Sequence, residues 1–118
     1  MFAERIAMSD LHSIDATGEQ LLIVKDILRR NVPHLAVWAF GSRTRNTAKR
    51  YSDLDLAIMT DDALDLGVHA ALVDEFSNSD LPWKVDIVDW ALTDDVFRDV
   101  IRDHYVVVQS IPELEDVD

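Results

Sequence analysis

Two carboxylates and a Gly-Ser turn form the part of this sequence that is best suited to chemistry. Residues 37–59 contain Gly41-Ser42, ten further residues, and then Asp53-Leu-Asp55. Residues two apart on a strand project from the same face, so the two carboxylates can hold a divalent metal ion together. A Gly-Ser turn can offer backbone N–H groups and a hydroxyl to phosphate oxygens. Together these groups indicate chemistry on a nucleoside triphosphate.

A third carboxylate would help nucleotidyl transfer by positioning a second metal ion or by accepting the proton of the attacking hydroxyl. The segment 83–90 supplies two candidates, Asp86 and Asp89. They lie three apart on a predicted strand and therefore face opposite sides of the sheet, so only one can join the site. We favour Asp86, which shares a face with Lys84, and we interpret Asp89 as a surface residue near the end of the strand.

Basic residues are concentrated between the Gly-Ser turn and the first carboxylate. Four of the 11 Lys and Arg residues of the chain lie there, namely Arg43, Arg45, Lys49 and Arg50. Positive charge at this position favours phosphate binding. We predict that Arg43 belongs to the nucleotide site and neutralises the leaving pyrophosphate, because a planar guanidinium makes several hydrogen bonds to such a group. A surface salt bridge is the alternative role for Arg43.

Hydrophobic periodicity predicts the elements that position these groups. Thr17 and Gln20 have the spacing of a capping box and open a predicted helix over about 18–31. The apolar run over 35–40 predicts a strand that is buried on both faces. We expect a short helix over 43–50, whose N-terminus would point at the phosphate position.

The second half of the chain continues this alternation. The pattern predicts a strand over 53–58, a helix over 63–76, a strand over 83–90 and a last helix capped by Thr93. The order of elements predicts an α/β (α+β) domain with a small mixed sheet of three or more strands flanked by helices.

Length, charge and composition limit the possible functions. The 118 residues fit a single domain over 1–118, with a core over about 17–105 and a loose acidic tail over about 110–118. The net charge of −12 argues against direct nucleic-acid binding, which depends on Lys and Arg. There is no cysteine, and no apolar run is long enough to span a membrane, so we expect a cytoplasmic protein with no membrane partner.

The unit Gly41-Ser42, ten residues, Asp53-Leu-Asp55 resembles the signature of the DNA polymerase β-type nucleotidyltransferase superfamily, in its minimal form (MNT). The resemblance covers nearly half of the chain and implies the polymerase β-type nucleotidyltransferase fold. It implies that Gly41 and Ser42 bind the triphosphate and that Asp53 and Asp55 ligate two Mg²⁺ ions. It also implies that Asp86 is the third catalytic carboxylate and a metal ligand.

Stand-alone MNT proteins of this size are similar to the antitoxins of HEPN/MNT toxin–antitoxin systems. The resemblance implies an Mg²⁺-dependent protein adenylyltransferase that moves AMP from ATP to a tyrosine of a HEPN ribonuclease toxin and so neutralises it. Because no acceptor domain is visible, we expect another molecule or subunit to hold the acceptor. Two alternatives stay open: an antitoxin that acts by stoichiometric contact with a vestigial nucleotide site, and a nucleotidyltransferase for a small molecule such as an antibiotic.

Overall fold

Helices and strands alternate along residues 13–111, the part of the chain that the computed structural model describes. Most of the predicted acidic tail, residues 112–118, lies outside this range. The elements are α1 (Gly18–Asn31), β1 (Val37–Phe40), β2 (Leu54–Ile58), α2 (Leu66–Ser77), β3 (Val85–Asp89), α3 (Asp95–Asp103) and β4 (Val106–Gln109). Short 3₁₀ turns, Ser42–Thr44 and Trp90–Leu92, follow β1 and β3.

The four strands form one mixed sheet in the order β3-β2-β1-β4. Strand β1 runs antiparallel to β2 and β4, whereas β2 and β3 are parallel. A parallel pair requires a crossover connection, and α2 supplies it. The predicted fold class is confirmed, and β4 adds a strand that the sequence pattern did not resolve.

The main hydrophobic core lies between α1, α2 and one face of the sheet. Its helix residues are Leu21, Val24, Ile27, Leu28, Leu72 and Phe76, and its strand residues include Val37, Ala39, Leu54, Leu56, Ile58, Val106 and Val108. The core also includes Ile14, so its predicted limits of about 17 and 105 are too narrow at both ends.

The opposite face of the sheet is covered only in part, by α3. The buried residues there are Phe40, Ala57 and Ile101, and Trp38 and Trp90 pack against them. This smaller cluster leaves room for polar groups on the same face. Within residues 13–111, no helix has the length and apolar character to cross a membrane.

The helix N-termini show how local sequence directs this fold. Thr17 and Gln20 form the predicted capping box, with Gln20 N donating to Thr17 Oγ1 at 3.1 Å and Thr17 N donating to Gln20 Oε1 at 2.9 Å. Helix α2 begins later than predicted because Asp65 caps it. Helix α3 is capped by Asp94, whose Oδ1 accepts from Phe97 N at 2.8 Å, and not by Thr93.

Candidate active site

Three carboxylates lie at the start of the parallel strand pair. The register of β2 and β3 places Asp55 directly beside Asp86, so both side chains project from the face that α3 partly covers. Asp53 precedes β2 by one residue and is two residues from Asp55. Asp53 and Asp86 are exposed, and Asp55 is half-buried. The structure therefore brings the predicted carboxylates together with Asp55 innermost.

Burial, and after it the negative charges of Asp86 and Asp53, together raise the pKa of Asp55 from 3.8 to about 6. Such mutual repulsion is relieved by a bound cation. Carboxylate oxygens are the ligands that Mg²⁺ prefers, and Mg²⁺ usually takes its remaining ligands from phosphates and water. Within residues 13–111, no three His, Asp or Glu side chains are grouped tightly enough to hold a metal ion unaided. The carboxylates thus fit Mg²⁺ as a partial ligand set.

The backbone of Gly41 lies against the Asp55 carboxylate. Gly41 follows Phe40, which pairs with Asp55 across β1 and β2, and it has a φ of 84°. A Cβ atom at this position would lie 2.1 Å from Asp55 Oδ2, far inside van der Waals contact. Both the backbone angle and the close approach require glycine. The predicted phosphate turn and the inner carboxylate therefore meet at one point.

Ser42 is half-buried at the start of the 3₁₀ turn. Its carbonyl oxygen accepts from Arg45 N at 3.1 Å and from Thr47 N at 3.2 Å, which closes the turn. Its hydroxyl makes no hydrogen bond with any other residue of 13–111. The Ser42 hydroxyl is thus available for a phosphate oxygen, and its binding of the nucleotide stays a prediction.

The predicted helix over 43–50 is wrong, because helical structure ends after one 3₁₀ turn, Ser42–Thr44. Asn46 has a φ of 59°, a left-handed conformation that a helix interior does not accommodate. The Lys49 carbonyl oxygen accepts from Ser52 N at 3.1 Å in a turn, and the Arg50 carbonyl oxygen accepts from the Arg43 guanidinium at 3.0 Å. No long helix therefore adds a dipole at the phosphate position.

The Arg43 side chain turns inward, away from the role predicted for it. It is only 5% exposed, and its guanidinium donates to the carbonyl oxygens of Ser52 and Asp15 at 2.8 Å and of Arg50 at 3.0 Å. The guanidinium carbon also lies 4.6 Å from the centre of the Trp83 ring. Arg43 therefore holds the connection between the turn and β2, and its guanidinium is bound to carbonyl oxygens there and does not face the predicted pyrophosphate position freely.

The interpretation of Asp89 as a surface residue is also wrong. Asp89 is buried, and its carboxylate accepts from the Thr60 hydroxyl, from Leu64 N at 2.7 Å and from Ala91 N at 3.3 Å. A buried carboxylate needs such partners, and here they anchor the segment that leads into α2. Asp86, on the opposite face as predicted, is left as the candidate third carboxylate.

The C-terminal end of α3 braces the turn, a contribution that sequence reasoning missed. His104 Nε2 donates to the Thr44 carbonyl oxygen at 2.6 Å, and Arg45 pairs with Asp103 at 3.1 Å. These contacts join residues about 60 positions apart in the chain. No local pattern marks His104 for this role, because only the folded arrangement brings it to Thr44.

Comparison of this chain with known proteins identifies its family. Residues 23–113, which include all three carboxylates and the turn, match the family described as "Polymerase beta, Nucleotidyltransferase". The chain is 51% identical over 103 residues to the probable protein adenylyltransferase MntA of Haemophilus influenzae. This match covers 87% of the chain and 90% of that relative.

Solved structures share the fold. A crystal structure of a toxin–antitoxin with AMP-PNP contains a chain that is 26% identical, with a TM-score of 0.66 over 82% of this chain and 78% of that chain. A structure of a tri-AMPylated Shewanella oneidensis HEPN toxin in complex with MNT antitoxin gives 23% identity and a TM-score of 0.57, over 82% and 75%. At that lower identity the second structure shows a common fold only.

We expect Gly41→Ala to lower the free energy of unfolding by about 2 kcal/mol, because the new methyl group would collide with Asp55 Oδ2 at a strained φ. Urea unfolding measures the loss. Gly18→Ala is the matched control, since nothing lies within 4 Å of its added Cβ, and it should be neutral or stabilising. The loss should shrink when Asp55→Ala is also present, and an equal loss in both backgrounds would contradict the proposed contact.

We expect Asp55→Asn to stabilise the fold in Mg²⁺-free buffer at pH 7.5. The pKa of Asp55 is raised from 3.8 to about 6 in the folded chain, so its ionised form lowers stability above about pH 6. Allowing for partial exposure, the gain should be about 1 kcal/mol. It should fade between about pH 6 and pH 4, as Asp55 of the folded wild type takes up its proton. The exposed Asp61→Asn serves as control, and a gain independent of pH would refute this account.

We expect Arg43→Lys to destabilise the chain by about 2 to 3 kcal/mol, because one ammonium group cannot replace a guanidinium that reaches several separate carbonyl oxygens. The exposed Lys49→Met is a control in the same connection and should be near neutral. Thermal unfolding without nucleotide provides the measurement. A stable Arg43→Lys variant would restore the possibility of a role in phosphate binding.

Proposed function

Because this chain belongs to the polymerase β nucleotidyltransferase family, we propose that it transfers AMP from ATP to a tyrosine of a HEPN-type toxin protein. It would thereby act as the antitoxin of a toxin–antitoxin pair. The observation that carries the proposal is the contact of Gly41 with Asp55, because it joins a phosphate-binding turn to the carboxylates. The protein name of the 51% identical relative and the AMP-PNP complex of the 26% identical neighbour support it.

In the proposed reaction the acceptor tyrosine Oη attacks the α-phosphorus of ATP. A bond forms between Oη and this phosphorus, the bond from the phosphorus to the β-phosphate oxygen breaks, and pyrophosphate leaves. The proton of the tyrosine hydroxyl passes to Asp86, whose exposed carboxylate faces solvent on the side from which an acceptor arrives. Ser42 and the turn hold the β- and γ-phosphates through the hydroxyl and backbone N–H groups.

We propose that Asp53 and Asp55 hold Mg²⁺, two ions when the site is loaded, and that Asp86 is the third ligand. The oxygen donors fit this ion, and a cation would stabilise the ionised form of Asp55, whose pKa is raised first by burial and then by the charges of Asp86 and Asp53. Bound Mg²⁺ supplies neutralisation of the charge that develops on the phosphate oxygens. Because ATP is an intracellular metabolite, we also propose a cytoplasmic location.

The carboxylate cluster favours catalysis over a vestigial nucleotide site. Ionised Asp55 is half-buried beside two like charges and receives no hydrogen bond from another residue of 13–111, so it lowers the stability of the fold. Asp89 shows the contrast, because its buried carboxylate has three donors and a structural role. Because the ionised Asp55 carboxylate lowers stability and receives no structural hydrogen bond, a role in ligand binding and catalysis is the better explanation for its presence.

We expect Asp53→Asn and Asp55→Asn each to lower AMP transfer at least about 100-fold, because each removes a carboxylate that would hold the Mg²⁺ needed to neutralise the reacting phosphates. The assay uses α-labelled ATP, Mg²⁺ and a HEPN-type toxin protein co-produced with this chain. The exposed Asp62→Asn is the matched control and should label like wild type.

Undiminished labelling by both variants, with folding verified by circular dichroism, would refute the proposed catalytic role. If the Asp53/Asp55 double variant still neutralised the HEPN protein fully, the stoichiometric mechanism would replace adenylylation. Label on a small molecule with none on the HEPN protein would favour the alternative that the chain is a nucleotidyltransferase for a small molecule.

A further inference from the structure

The surface of α3 and the turn before it carries apolar side chains that no element within residues 13–111 covers. Val96 is 76% exposed and Val100 is 51% exposed, and they lie four apart on one line of the helix. Leu92, in the preceding 3₁₀ turn, is 74% exposed, and Phe97 is 37% exposed. We call these four residues the α3 stripe. Clustered exposed apolar groups mark interaction surfaces more reliably than single ones.

The α3 stripe is continuous with the active site. The Phe97 ring packs edge to face on the Phe40 ring, with centroids 5.8 Å apart. Phe40 is the strand partner of Asp55 and the residue before Gly41. A molecule that covers the α3 stripe therefore lies beside the carboxylates and the phosphate turn.

An acidic row borders the α3 stripe. Asp95, Asp99 and Asp103 recur at every fourth position of α3, in the row of the helix next to Val96 and Val100. Asp99 pairs with Arg102 at 3.3 Å and Asp103 with Arg45 at 3.1 Å, but both pairs are exposed, so the carboxylates stay accessible to the cations of a partner. A complementary surface is apolar and is bordered by Lys and Arg. A second copy of this chain would bring two such acidic rows together, and each copy carries a net charge of −12. Like charges at an interface select against that pairing.

We infer that the α3 stripe is the docking surface for the protein acceptor, which presents an apolar face bordered by basic residues. The inference rests on the proposed function, since it assigns a position to the acceptor of that reaction. Docking here would hold the acceptor next to Asp86 and Asp55, and residues 13–111 contain no other domain that could hold it. Binding in advance turns transfer into a reaction within a complex, which raises its effective rate.

The test replaces the two central residues of the α3 stripe in the variant Val96→Lys/Val100→Lys. Lysine is a good helix former, and its positive charge would repel the basic residues proposed for the acceptor. The matched control is Leu22→Lys/Val73→Lys, which changes two exposed apolar residues on α1 and α2. The probe is the purified HEPN-type toxin protein of the labelling assay. Isothermal titration without nucleotide gives its dissociation constant, and labelling with α-labelled ATP gives KM for the HEPN protein and kcat.

In the stripe variant we expect the dissociation constant and this KM to rise at least about 10-fold, with kcat at saturation and ATP affinity within about twofold of wild type. The control should match wild type. Unchanged affinity and KM in the stripe variant, with labelling intact, would overturn the docking surface and leave the proposed function standing. Stripe-dependent binding without any labelling by wild type would support the surface and refute the proposed function.

Two further outcomes would also overturn the inference. In one, wild type sediments as a dimer and the stripe variant sediments as a monomer, while the affinity for the HEPN protein is the same in both. The α3 stripe would then be an interface between two copies of this chain. The other is the absence of any binding between wild type and the HEPN protein.

Discussion

The close approach of the Gly41 backbone to the Asp55 carboxylate is the constraint on which the rest of the site depends. It requires β1 and β2 to pair so that Phe40 lies opposite Asp55, and it requires a residue without a Cβ at a positive φ. The parallel pairing of β2 with β3 then adds Asp86 beside Asp55. The groups proposed to bind phosphate and a cation thus meet because three strands share one register, although these groups are far apart in the chain.

The two faces of the sheet have opposite effects on stability. Helices α1 and α2 bury the main core on one face, which supplies stability through apolar burial. The other face carries carboxylates that repel one another and lower stability, so the first face must offset the second. The turn is held from both sides, by the Arg43 guanidinium within its own connection and by His104 at the end of α3. A turn fixed in this way approaches phosphate without first losing conformational freedom.

Sequence patterns predicted the structural features that depend on residues close to one another in the chain. The capping box of Thr17, the alternation along β2 and the pairing of a Gly-Ser turn with two carboxylates all have local causes, and the structure confirms the fold and brings these groups together. The inward turn of Arg43 and the burial of Asp89 could not be predicted, because their partners lie up to 29 positions away and become visible only after folding. The same holds for the false helix over 43–50, where Asn46 takes a left-handed conformation and the Arg50 carbonyl oxygen accepts from the inward-turned Arg43 guanidinium.

The openness of the site bears on the kind of acceptor it serves. A site for a small molecule usually buries most of its ligand in a concave, largely apolar pocket. Here Asp55 is half-buried and Asp53 and Asp86 are exposed, and the apolar side chains of the α3 stripe are exposed on the same face of the sheet. Such a surface excludes water only when another macromolecule covers it. A protein acceptor would supply the attacking hydroxyl and would also cover the open side of the site. Because water would then be excluded, electrostatic interactions with the transferring phosphate would become stronger.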